Sequence, residues 1–161
     1  MAYFRPLRLG VLFDQQIHAG GAYQQALNAA MVALELPPEL VKVVFFTTLP
    51  ENVSTLSTYG IESNVLRLSW FAKIRSYFRR LIISTRLFRL VEIIEPFSPF
   101  EANFVNYQID LVYLLSPTSW AQSLEKLNYI VTLWDLCHRD DPEFPEVRSS
   151  KRFESRDRNY R

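Results

Sequence analysis

Short, almost unbroken apolar runs recur along this chain, separated by longer segments with helical spacing. Residues 8–13 form the first run, which ends at Asp14 and lacks polar alternation; that pattern predicts a strand buried on both faces of a parallel sheet. After the loop 15–21, residues 22–36 place Leu27, Ala30, Met31 and Leu34 at helical spacing and stop at Pro37-Pro38, which cannot continue a helix. Residues 41–47, rich in β-branched and aromatic side chains, predict the next strand. A short helix fits within 51–63 and a third, weaker strand at 64–68. A long helix is predicted over 70–94 and a short one over 99–107, separated by Pro96 and Pro99. The fourth strand is expected at 111–116, a helix at 120–127 with Ser116 or Thr118 as N-cap, and the fifth strand at 129–134. This alternation predicts an α/β, Rossmann-like, doubly wound, mainly parallel sheet of about five strands in the order 3-2-1-4-5. Such sheets bind ligands outside the carboxyl ends of their strands, where the order reverses. Chemistry is therefore expected in 14–21, 116–119 and 135–146.

Composition narrows the class without naming a function. The 161 residues are 48% hydrophobic and 22% charged, which fits one folded domain with its own core and excludes a disordered or collagen-like chain. Eighteen Lys and Arg against 17 Asp and Glu leave a net charge of +1, so no overall excess points to nucleic acid as a partner. The single cysteine, Cys137, cannot form an internal disulfide and reads as a buried thiol; with two histidines it makes no complete zinc ligand set, and no metal is expected. No apolar run reaches the ~18 residues of a membrane-spanning helix, because Arg79, Arg80, Arg86 and Arg89 interrupt the longest candidate. Nor does the start of the chain read as a signal peptide. The compartment expected is the cytoplasm.

Two segments carry candidate chemistry. Gly20-Gly21, two of only four glycines, stands where the first helix opens. Backbone N–H groups there lack intrahelical partners, and residues without Cβ let a phosphate approach; a plain flexible turn explains the pair equally well. Neither G-x-G-x-x-G nor G-x-x-x-x-G-K-[ST] is present, which argues against an ordinary dinucleotide site and a P-loop. The second segment runs past the fifth strand through Trp134-Asp135-Leu136-Cys137-His138-Arg139. Asp135 and His138 can bind hydroxyls or carry a proton; alternatively they cap and brace a proline-rich loop.

Taken together, the Gly-Gly helix start and residues 131–147 resemble the amino-terminal domain of a family 4 glycosyltransferase of the GT-B type. Residues 152–161 resemble the start of the helix that follows in those enzymes. The resemblance implies one half of a cleft: residues 1–148 as the acceptor-side domain and 149–161 as the charged beginning of a following helix, frayed if the chain ends there. It implies a nucleotide-sugar as co-substrate with no other cofactor, and a glycan or lipid-linked acceptor. It implies too a separate carboxy-terminal donor domain, without which the chain is inactive. Gly20 and Gly21 would face the donor diphosphate, and Trp134, Asp135 and His138 would line the cleft. Where many members carry a His-Asp pair, this sequence reads Trp134-Asp135, with the histidine three residues later. A non-catalytic binding or partner module derived from the same domain is the alternative.

Charge is concentrated in two places. Between residues 69 and 91 there are six basic residues and no acidic one. At ~100° per residue, Arg75, Arg79, Arg86 and Arg89 share one sector, and Ile74, Tyr77, Phe78, Leu81 and Phe88 another. Such a helix either packs on the sheet with its arginines solvated or lies on an anionic membrane surface, which makes the chain a peripheral protein of the inner face. From residue 139 to the end, 13 of 23 residues are charged, and this stretch is expected to be solvated.

Overall fold

The computed structural model describes residues 5–16, 20–82, 91, 93 and 97–133, and of Lys73, Arg80, Leu81 and Ile82 the backbone alone. Five strands, β1 (Leu7–Phe13), β2 (Val41–Thr47), β3 (Ser63–Val65), β4 (Leu111–Leu114) and β5 (Asn128–Val131), form one sheet in the order β3-β2-β1-β4-β5. Every pairing is parallel. The helices are α1 (Gly21–Leu34), α2 (Asn52–Thr58), α3 (Trp70–Ile82) and α4 (Glu101–Asn106), with a 3-10 turn at Ser119–Ser123. This is the α/β, Rossmann-like architecture that the alternating pattern predicts, with the order reversing between β1 and β4.

Side-chain alternation along the strands sorts the core into two layers. Leu9, Val11 and Phe13 of β1 and Phe45 of β2 point to one face, where Tyr23, Ala26, Leu27 and Ala30 of α1 and Leu56 of α2 cover them. Leu12, Phe46, Val112 and Leu114 point to the other, under Phe100, Phe104, Ile109 and Leu124. Both layers exclude water, and each fully buried Leu or Phe contributes ~1.5–3 kcal/mol. Gly10 matters to the second layer. A Cβ there would sit 2.9 Å from Ile109 Cγ2 and 3.3 Å from Phe104 Cδ1, so glycine permits the end of α4 to lie against β1. At the amino end of the sheet, Asp110 accepts from the Arg8 N–H at 2.9 Å and from the Arg5 guanidinium at 2.6 and 3.0 Å. That N–H, and then the Arg5 guanidinium, hold its carboxyl below the usual range.

The structure decides which face of α1 turns inward, and it corrects one expected helix. In α1 the buried residues are Tyr23, Ala26, Leu27, Ala30 and Ala33, while Met31 and Leu34 are exposed. The alanine row faces inward because its small side chains let the helix axis approach the sheet, and alanine is also the strongest helix former. The helix expected at 120–127 is a single 3-10 turn, capped by Thr118, whose hydroxyl accepts from the Trp120 N–H. It cannot continue. The N–H groups of Glu125, Lys126 and Leu127 donate instead to Oε1 of Glu101, at 3.0, 2.7 and 2.6 Å, a buried carboxylate that turns the chain down toward β5.

Candidate functional site

β1 ends at Phe13 and β4 at Leu114, so Asp14 and Ser116 emerge side by side at the carboxyl edge, where the strand order reverses. The Ser116 hydroxyl donates to Asp14 Oδ1 at 2.6 Å, and the Thr118 hydroxyl also bonds this carboxylate. Burial raises the Asp14 pKa above the ordinary carboxylate value, and the two hydroxyls pull it partly back. The desolvation is the larger effect, so the neutral form is favoured relative to an exposed carboxylate. Beside this group, the fully buried Asn52 donates from Nδ2 to the Gln15 carbonyl at 2.8 Å and ties α2 to the loop leaving β1. Its Oδ1 has no partner among the described residues.

Gly20 and Gly21 open α1 on this edge. Gly20 has φ 61° and ψ −129°, a region open to glycine and strained for any other residue, so the backbone requires glycine at this position, whereas Gly21 is already helical. Among the described residues no side chain caps the helix, and none lies within 4 Å of where a Cβ would stand on either glycine. The first-turn N–H groups of a helix, with the positive end of its dipole, attract anions. Next to β2 and β3 at the same edge, a cavity of about 330 Å³ lies between Thr48, Pro50, Leu66 and Leu68, with Arg67 and Trp120 on its wall. The Trp120 indole is fixed by stacking on Phe100, with ring centres 4.7 Å apart.

Of the residues singled out in the sequence, Gly20 and Gly21 stand at the carboxyl edge as expected. Trp134, Asp135, Cys137, His138, Arg86 and Arg89 lie outside the described residues, as do 149–161. The described chain reaches Leu133, just beyond β5, where the Thr132 N–H extends the ladder to Leu114 O. Arg75 is exposed on α3. Arg79 is not part of a solvated basic strip. It is 2% exposed and clamps Glu125 through Nε at 2.7 and 2.9 Å and Nη2 at 2.7 Å. Asp14, Ser116 and Thr118 fall within the segments 14–21 and 116–119 where the strand order predicts chemistry, without being singled out there, while Asn52 lies outside every such segment.

Among the described residues no group of three His, Cys, Asp or Glu side chains could hold a metal ion, and no helix is long and apolar enough to cross a membrane. No known family model, curated protein or solved structure matches this chain. The edge combines an uncapped helix opening, a hydroxyl-bonded carboxyl of raised pKa and a tryptophan-walled cavity. Such a set can hold an anion beside a polyhydroxylated ring.

Proposed function

We propose that this chain is the acceptor-side domain of a nucleotide-sugar-dependent glycosyltransferase of the two-domain GT-B type. The observation that carries the reading is the carboxyl edge at the β1/β4 reversal, where Gly20-Gly21 opens an uncapped α1 beside Asp14, Ser116 and Thr118. In this reading the α1 N–H groups meet the donor diphosphate. Asp14, held in place by the Ser116 hydroxyl, can accept a hydrogen bond from a sugar hydroxyl. The cavity walled by Trp120 and Arg67 suits an acceptor ring, one apolar face stacked and its hydroxyls met by a guanidinium. Trp134, Asp135 and His138 are assigned to the same cleft through the sequence resemblance. The chemistry of such enzymes rests on positioning and on neutralising the leaving diphosphate, and the second wall of the cleft supplies most of that. The reading therefore includes a donor-binding domain on another polypeptide or on further chain, and little turnover without it.

Calorimetry with UDP, GDP and their sugars, with inorganic phosphate as control, tests the reading. Binding is expected in the ~0.1–1 mM range, weak because a single wall leaves the diphosphate half in water. Gly21→Asp places a carboxylate at the helix opening, where a side chain has room and an acidic residue suits the dipole. It should abolish nucleotide binding without lowering the melting temperature. Silence of the unaltered protein across the whole panel would remove the diphosphate assignment.

A further inference from the structure

Helix α3 is built inside out. Its inward sector carries Ala72, Ser76 and Arg79, the last two buried. Its outward sector carries Trp70 (68% exposed), Phe71 (74%), Tyr77 (58%) and Phe78 (59%). With Ile74 these span about 120° of arc at ~100° per residue, directly opposite the sector that meets the protein. The bidentate Arg79–Glu125 pair, 2% and 5% exposed, fixes that orientation. Rolling the helix to bury its aromatics would strand two charges that now satisfy each other. The fold thus holds four large aromatic side chains in water, where an ordinary surface helix would show polar groups.

We infer that α3 is a docking helix for an anionic lipid surface, inserted by Trp70, Phe71, Tyr77 and Phe78. Three observations choose a bilayer over other occupants. Apart from the internal Arg79, residues 69–91 carry five basic groups and no acidic one, so this stretch of sequence is net positive and suits an anionic surface. The exposed side chains are Trp, Tyr and Phe, the types that settle at the boundary between headgroups and acyl chains. The ridge is also one convex helix, about 20 Å long, that takes no part in lining the carboxyl-edge cavity. A fluid bilayer accommodates such a ridge, whereas a protein partner would need a matching groove. This departs from the arginine-strip reading of the sequence: Arg79 is internal, and the aromatics make the contact. The inference stands apart from the glycosyltransferase reading and survives its failure. If both hold, α3, which starts five residues beyond the carboxyl end of β3, brings the carboxyl-edge cavity to the bilayer and favours a lipid-linked acceptor.

The test is co-sedimentation of the full chain with vesicles of phosphatidylcholine alone and of equimolar phosphatidylcholine and phosphatidylglycerol, at low and high salt. The protein should pellet with the anionic vesicles and be partly released by salt. Trp70→Ser combined with Phe78→Ser should lower the partition coefficient about tenfold or more, given the apolar area withdrawn. Both side chains are exposed, so the variant's urea midpoint should match the parent's. Failure to pellet with anionic vesicles, or equal pelleting of the double variant, overturns the inference. So does a parent that is dimeric by light scattering without binding vesicles and becomes monomeric in the double variant, since the ridge would then be an interface between copies.

Discussion

Burial holds the Asp14 carboxyl above its ordinary value of 3.8, against the pull of the Ser116 and Thr118 hydroxyls. The folded protein therefore binds this proton more tightly than the unfolded chain. Stability contributed at this position is present below the unfolded pKa and declines as pH rises through the higher, folded one. Asn keeps an oxygen for Ser116 and has no charge to desolvate. Asp14→Asn is therefore expected to raise the urea midpoint at neutral pH and to flatten its decline above the ordinary carboxylate range. A variant less stable than the parent at neutral pH would show that the ionised carboxylate is net favourable here. In the sequence, Asp14 was visible as the end of a strand. Its partner Ser116 lies 102 residues away, and only the β1/β4 pairing brings the two together. Gly20 was legible for a related reason, because an adjacent glycine pair before an alanine-rich run marks a helix opening; its positive φ is the structural cause.

Periodicity reveals that an element has two faces but not which one turns inward. In α3 the basic and apolar sectors were evident from spacing, and the apolar sector would ordinarily have been packed on the sheet. Glu125, 46 residues later, reverses this by capturing Arg79. Arg79→Met should therefore strand Glu125 in a dry site and lower stability by about 3–5 kcal/mol, a large share of the total for a domain of this size. Combining it with Glu125→Leu should recover most of the loss, since an apolar pair leaves no charge behind. Urea unfolding of the three variants measures both effects; a single variant as stable as the double one would mean that the pair is not dry. The expected helix at 120–127 failed for the same class of reason. Its residues suit a helix, but the Glu101 carboxylate takes three N–H groups that a helix would need.

Across the whole sheet, β1 pairs over seven residues with β2 and over four with β4, whereas β3 pairs over three residues on one side alone. On the opposite edge, β5 shows Tyr129 and Ile130 about half exposed. Native-state hydrogen exchange should accordingly be slowest at Val11, Leu12 and Phe13 and fastest at Ser63–Val65 and in β5. Protection of β5 equal to that of β1 would mean that further chain or a partner covers this edge. Sequence by itself determined the α/β class, the strand order and the edge of the sheet where ligands belong, because these follow from short-range periodicity and from the fixed handedness of βαβ units. Tertiary structure alone decided which face of α1 and α3 turns inward, where the chain refuses to be helical, and that Asp14, Ser116 and Thr118 share one proton-sensitive cluster. Each of these depends on polar partners far apart along the chain. Their pairing energies, not local pattern, set the outcome once water is excluded.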